Sequence, residues 1–406
     1  MTAPAPEIDE HWLEVYRQLH AHPELSYAEF DTAALVAGEL RALPGWEVTT
    51  AVGGTGVVGV LSAGPGPVIW LRADMDALPV QEETGLEYAS RTPGVMHACG
   101  HDMHVAALLA ACARLSAEPP AGTVVAIFQP AEESGGGADA MLHDGMLERF
   151  PRPRICLGQH VGPIPAGLIV TKGGPIMAAS DSIRVLLTGR GGHASTPHLA
   201  VDPLLMAASL VLRLQTLAAR QAGTPMSPVL TTGALHAGTR ANVIADTAEM
   251  LLSLRTFTPG SRQAMIDDIT RVVRAEADAA GAPREPEIEL FHSYPVTVNT
   301  AEDADRVLET FTTSGLPAVR LQNPVTGSED FGRFATAAGC PSVFWHIGGY
   351  ALHRFSEEDM ARMLGEQTLP QGMPSNHSPR FAPDPEQTLP AAANAMLVAA
   401  RAELTR

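Results

Sequence analysis

Between Trp12 and Leu43 apolar residues recur at helical spacing, around Leu13, Tyr16 and Leu19 and then Leu35 and Leu40, so this stretch predicts helices. From Gly56 the period shortens. Val57–Leu61 and Val68–Leu71 read as strands, and the Gly64–Pro67 turn between them predicts a hairpin or adjacent strands. Asp102–Leu115 reads as an Ala/Leu-rich helix stopped by Pro119–Pro120, with Asp102 placed to cap it and His104 beside it. Strands follow at Thr123–Gln129 and Ile155–Gln159. Buried strands alternating with helices predict an α/β layer on a largely parallel or mixed sheet.

Near Ala179 the pattern changes. Ser182–Leu187 alternates as a half-buried strand, Asp202–Ala219 is a long apolar helix, and strands follow at Val229–Leu235 and Ala248–Arg255. A polar helix, Arg262–Ala279, and a strand, Glu287–Phe291, complete a β-α-β-β-α-β order, which describes a ferredoxin-like α+β insert. After Tyr294 the α/β pattern resumes with a helix near Ala304–Thr312, a strand at Ser342–His346 and a helix at Leu389–Leu404. The expectation is one α/β domain, 1–179 and 294–406, interrupted by a second, 180–293.

A chain of 406 residues suits two domains. Its formal net charge of -18 repels phosphate backbones and anionic lipid, so neither nucleic acid nor a membrane surface is an expected partner. No apolar run approaches a bilayer's thickness, and Met1–Glu10 lacks the basic patch and apolar core of a secretory signal. Cys99, Cys112, Cys156 and Cys340 are too scattered for a disulfide framework, which fits a reducing, cytoplasmic setting. A lone lysine, Lys172, among many arginines reads as coding bias.

Candidate chemistry gathers in clusters. Asp74-Met75-Asp76 follows a strand, where open α/β sheets collect ligands, although two such aspartates alone are more often turn formers. The segment His97–His104 packs three histidines and Cys99 into eight residues, a density that packing hardly explains. A thiolate and an imidazole two residues apart can reach one metal or two adjacent ones. Glu132-Glu133 also follows a strand, and adjacent carboxylates can divide metal binding from proton transfer. His160 closes the Ile155–Gln159 run and His377 sits far downstream; neither persuades alone.

Taken together, the runs Arg72–Pro79 (RADMDALP), His97–Asp102 (HACGHD), Pro130–Glu133 (PAEE) and Asn376–Pro379 (NHSP) closely resemble the hippurate hydrolase/aminoacylase family. That family sits in the wider superfamily of two-metal aminoacylases and carboxypeptidases, with bacterial N-acyl-amino-acid amidohydrolases and plant auxin-conjugate hydrolases among its members. The likeness runs from about His20 to the C-terminus.

The resemblance implies two divalent ions per subunit (zinc, manganese, cobalt or nickel) bridged by Cys99. One would be held with Glu133 and His377, the other with His101 and His160. It further implies that Glu132 is the base acting on the attacking water and that Asp76 orients a ligand. In the insert, which it identifies as a lid and dimerisation domain, Gly191–Ser195 resembles a segment whose histidine, here His193, stabilises the oxyanion in the partner subunit of a homodimer. Asn242 and Arg255 lie in segments that resemble those recognising substrate, and an arginine suits a free α-carboxylate. The implied reaction is hydrolysis of an N-acyl amino acid, with a dipeptidase or carboxypeptidase as the alternative and a non-catalytic ligand-binding protein as the remoter one. Domain closure would bring Asn242 and Arg255 onto the amino-acid end. Two departures stand out: Gln159 replaces an apolar residue before His160, implying altered support of that ligand, and Ala245 replaces a frequent proline, implying an altered strand end. Gly327–Phe331 also resembles a family segment near the site, without giving Glu329 a role.

Overall fold

The computed structural model describes residues 9–221 and 226–406; the stretch read for a secretory signal lies outside them up to residue 8. The first unit comprises the chain up to Ile176, Val298–Gln322 and Asp330–Arg406, and the second Met177–Thr297 and Asn323–Glu329. The sequence pattern instead places Asn323–Glu329 with the α/β part. Among the described residues no helix is long and apolar enough to cross a membrane.

The chain opens with α1 (Glu10–Ala21) and α2 (Phe30–Ala42), then β1 (Trp46–Val52), β2 (Gly56–Ser62), β3 (Val68–Asp74), α3 (His101–Ala117) and β4 (Thr123–Gln129). Next come α4 (Gly137–His143), α5 (Met146–Arg149), β5 (Ile155–Pro165), β6 (Ile169–Thr171) and β7 (Gly174–Met177). The second unit holds β8 (Ala179–Thr188), β9 (Gly192–His193), α6 (Pro203–Gln221), β10 (Val229–Ala237), β11 (Val243–Ile244), β12 (Thr247–Thr256), α7 (Pro259–Ala280) and β13 (Glu287–Tyr294). The remainder is β14 (Thr297–Asn299), α8 (Ala301–Thr313), β15 (Ala318–Arg320), α9 (Gly332–Ala338), β16 (Ser342–Tyr350), α10 (Glu357–Glu366) and α11 (Pro385–Leu404).

The large sheet is mixed and eight-stranded, in the order β1-β2-β4-β3-β5-β16-β6-β15. β2 and β3 are therefore not partners: β4 lies between them, antiparallel to β2 and parallel to β3. The Gly64–Pro67 turn joins strands that pairing with a distant segment holds apart, so the hairpin expectation fails. Side chains alternate between the two faces of the central strands. Ile69, Leu71 and Ala73 enter the core shared with α3 and α11, while Trp70 meets Phe334 of α9 edge-on. Both faces are thus covered, as near-continuous apolar strands require. Nearly all of α3 is buried, explaining its alanines.

The second unit's sheet has the order β10-β12-β8-β13, wholly antiparallel, with α6 and α7 supplying its apolar layer. Helix α7 starts at a Thr258–Ser261 capping box and stops at Gly281 in the left-handed conformation.

Candidate metal centre

Parallel strands β3, β4 and β5 bring their carboxyl ends to one edge of the large sheet, and α3 begins there. Gly100, at φ 87°, is the residue that caps α3. Asp102 is therefore not the cap. It lies in the first turn and sends its carboxylate to His20 instead, at 2.6 Å. His160 does not end its strand either, because β5 runs on to Pro165.

Around Cys99 two donor sets overlap. The ligand atoms of Cys99, His101 and His160 lie within 4.8 Å of one another, and so do those of Cys99, Glu133 and His377. His101, Glu132 and Glu133 form a third such group. The His160 ring donates from Nδ1 to the Val161 carbonyl at 2.8 Å, which leaves Nε2 facing the Cys99 sulfur at 3.4 Å. His101 donates from Nδ1 to Asp76 at 3.2 Å, leaving Nε2 between Asp74 at 3.5 Å and Glu133 at 3.8 Å. Both rings are thus fixed in the tautomer that offers Nε2 as a ligand. The His377 side chain is 56% exposed, so the second set opens to solvent while Cys99 and His101 are buried.

Asp76 organises this region. Besides His101 it accepts the Glu132 amide at 3.1 Å, the Glu133 amide at 3.0 Å and the Ser26 hydroxyl at 2.6 Å. Asp74 instead takes Arg72 at 2.7 Å and His104 at 2.5 Å. Burial works against the Asp74 charge, but Arg72, His101 and His104 hold its carboxyl well below the usual range. Arg72 also reaches Gln129 and Asp330, so the ends of β3 and β4 are braced by one buried ionic network.

The residues present fit a pair of soft to borderline divalent cations. His101 Nε2 and Glu133 Oε1 are buried without hydrogen-bond partners. Burial, then the charges of Glu133, Glu132 and Asp74, push the Cys99 thiol well above its ordinary value, so a nearby cation is what would make it a thiolate. His101 is pulled down by burial but raised to about 10 by Asp74, Asp76 and Glu133, a local excess of negative charge that a cation would neutralise. Sulfur, imidazole and carboxylate together suit zinc-like ions.

In the second unit, β9 and β11 pair so that Val243 faces His193, and the Asn242 carbonyl accepts the Ala194 amide at 3.1 Å. His193 Nδ1 accepts the Ser195 amide at 3.1 Å, so in the neutral ring the proton sits on the exposed Nε2. Arg255, at the end of β12, donates to Ser328 Oγ at 2.6 Å. His193 lies on the small ribbon and Asn242 in the turn just before its second strand, whereas Arg255 belongs to the four-stranded sheet.

The profile of Peptidase family M20/M25/M40 matches residues 70–373. The chain belongs to this family. Its relatives include thermostable carboxypeptidase 1 of Saccharolobus solfataricus, 38% identical over 84% of this chain and 86% of that protein. Hippurate hydrolase of Campylobacter jejuni is 38% identical over 81% of this chain and 86% of its own length. IAA-amino acid hydrolase ILR1-like 2 of Arabidopsis thaliana is 36% identical over 93% and 82%. Among solved structures, the YXEP protein of Bacillus subtilis, a dinuclear metal binding peptidase from the M20 family, superposes with TM-score 0.76 at 30% identity, covering 97% of this chain and 98% of that one.

Several residues of this M20-family chain escaped the sequence reading. Asn376, beside His377 in sequence, donates its side-chain amide to the carbonyls of Cys99 and Val161 at 3.0 and 3.1 Å. His20 is buried between Asp102 and Glu82, the latter at 3.2 Å. Burial pulls its pKa down, but the two carboxylates raise it to about 9. Gln159 does not support His160. It points to the other face, where it donates to the Ala392 carbonyl and accepts the Trp345 indole N–H, so its polar group serves packing of α11.

Proposed function

We propose that this chain is a metal-dependent amidohydrolase that cleaves N-acyl amino acids into a carboxylic acid and an amino acid. The observation that carries this is the sharing of buried Cys99 between the two donor sets, with Glu132 beside them. The acyl-amino-acid hydrolases among its relatives support the substrate class. One ion would be held by Cys99, Glu133 and His377 and the other by Cys99, His101 and His160, with zinc, manganese, cobalt and nickel as the candidates. Bound cations would supply Lewis acidity at the scissile carbonyl and acidify a water molecule.

The chain's own groups do the rest. Glu132 takes the proton from the attacking water and delivers it to the leaving nitrogen. Asp76 keeps His101, Glu132 and Glu133 in register through its four hydrogen bonds. His193, its Nε2–H exposed, donates to the oxyanion of a partner subunit's substrate in a homodimer formed through the second unit, which serves as lid. Asn242 and Arg255 recognise the amino-acid end, Arg255 through the α-carboxylate. The cysteines are free in this structure and the net charge is strongly negative, which supports a cytoplasmic small-molecule enzyme without nucleic-acid or membrane partners.

A second reading, release of a C-terminal residue from short peptides, is favoured by the Saccharolobus carboxypeptidase. The test is a panel of acetyl- and benzoyl-amino acids and dipeptides on protein reconstituted with each metal. Faster hydrolysis of the acyl compounds is expected. Preference for dipeptides would favour the second reading, and no hydrolysis with any metal would sink both.

A further inference from the structure

The turn that presents Glu132 and Glu133 is held in an unfavourable conformation. Ala131 lies in the left-handed region at φ 51°, where a Cβ is crowded and glycine is the usual occupant. Three consecutive amides of this turn are gripped by two carboxylates. Glu132 and Glu133 donate to Asp76, and Ala131 donates to Glu29 Oε1 at 2.8 Å. Glu29 is fully buried and lies outside the motifs described above in sequence. Its Oε1 also takes the Tyr27 amide at 3.0 Å, and its Oε2 takes the Thr55 hydroxyl at 2.5 Å. A carboxylate buried on two amides and a hydroxyl is costly to desolvate, so its retention calls for a role.

The rest of the turn is fixed on the other side. The Ala131 carbonyl accepts from the Ser134 hydroxyl at 2.9 Å and the Gly137 amide at 3.1 Å. A Cβ at Gly137 would stand 1.7 Å from the Pro130 carbonyl oxygen, so the segment closes tightly on itself. Release of the Ala131 amide would let φ relax to the right-handed side and swing both following side chains.

We propose that Glu29 is a positioning residue for Glu132 and Glu133, holding Ala131 in the left-handed conformation from which both carboxylates face the Cys99 cluster. The proposal rests on the roles given to those two glutamates under the proposed function.

The test combines kinetics on an N-acyl amino acid with zinc titration of the metal-free protein, using Glu29→Ala, Glu29→Gln and Glu29→Ala with Ala131→Gly. Displacing a reacting group by about an ångström costs on the order of 100-fold, so Glu29→Ala should lower kcat by that order while KM moves less than about threefold. Zinc binding should weaken by about tenfold or more, because Glu133 loses its register. Glu29→Gln, which keeps an acceptor for Ala131, should restore most of both. Glycine adopts φ 51° without a Cβ penalty, so adding Ala131→Gly should regain about tenfold over Glu29→Ala alone.

Wild-type kcat and zinc binding in Glu29→Ala would overturn the proposal, and so would a defect that Ala131→Gly leaves untouched. If circular dichroism shows that Glu29→Ala does not fold, Glu29→Asp, whose shorter arm withdraws from the Ala131 amide, carries the same comparison. Should the wild type hydrolyse no acyl substrate, the functional reading fails, yet unchanged zinc titration in the variant would still decide against Glu29.

Discussion

Around Cys99 four candidate groups have their direction set by another buried residue: His101 by Asp76, His160 by the Val161 carbonyl, and Glu132 and Glu133 by Asp76 through their amides. At the β9–β11 ribbon His193 and Asn242 are exposed, the first on a strand of two residues and the second in the turn before β11, and near neighbours in sequence or across the pair orient them. The first region is preorganised at the expense of burying charge. The second keeps its groups solvated, as suits residues whose partners arrive with substrate or with another subunit. On the proposed function, the contrast would separate groups in place before binding from groups that complete the site afterwards.

The most severe way to break this comparison is Glu132→Gln. Removing a general base should cut kcat by about 10²–10⁴-fold, with two metal equivalents retained when the protein is assayed by elemental analysis. Loss of metal would show that Glu132 is part of the scaffold rather than a proton carrier held by it.

Next in size is His20→Gln, which asks whether the buried region owes its rigidity to charge. His20 faces Asp102 and Glu82 directly, with Tyr16 and Tyr88 against its ring and His97 within electrostatic reach of Asp102. Its folded pKa is raised from 6.5 to about 9. The stability it contributes is therefore fully present below about pH 6.5 and fades as pH rises through about 9. Breaking a buried pair costs about 3–5 kcal/mol. Chemical denaturation of the metal-free protein should show His20→Gln destabilised by that order at pH 6, with the gap narrowing towards pH 9.5. A gap that stays constant with pH would mean that packing, not charge, holds α1 to the start of α3.

The two regions also differed in how far the sequence disclosed them. The candidate donors near Cys99 were legible because sulfur and imidazole groups cluster densely in His97–His104 and carboxylates stand together in Glu132-Glu133 after a strand. Strand β4 was read to the residue, since Gly122 and Pro130 bound its apolar run. Its insertion between β2 and β3 was not legible, because strand pairing is non-local and a turn does not reveal its partners. β1 was missed as its sequence, WEVTTAV, buries only its two ends. Glu29 and His20 escaped for a different reason. His20 is a single polar residue in α1 and Glu29 a single one just before α2, and only the folded chain shows them buried against Asp102 and the Ala131 amide. Neither stands in a dense cluster of donors, and isolated residues of those types are ordinary near helix ends.

A smaller effect separates the regions more finely. His193→Ala should lower kcat by about 10²–10³-fold, the loss of one oxyanion donor, without changing metal content. Ser195→Ala probes how firmly that donor is aimed. The hydroxyl lies 2.7 Å from His193 Nδ1, but the Ser195 amide also donates there and survives the substitution, so the tautomer with Nε2–H is preserved. Loss of an orienting partner around a buried ligand typically costs about 10–100-fold, whereas here the retained amide should limit the loss to about two- to fivefold in kcat. A Ser195→Ala defect as large as that of His193→Ala would show that the ribbon depends on its hydroxyl as completely as His101 depends on Asp76. The ribbon would then belong with the preorganised half of the site, and solvent exposure would no longer mark a group as one that waits for its partner.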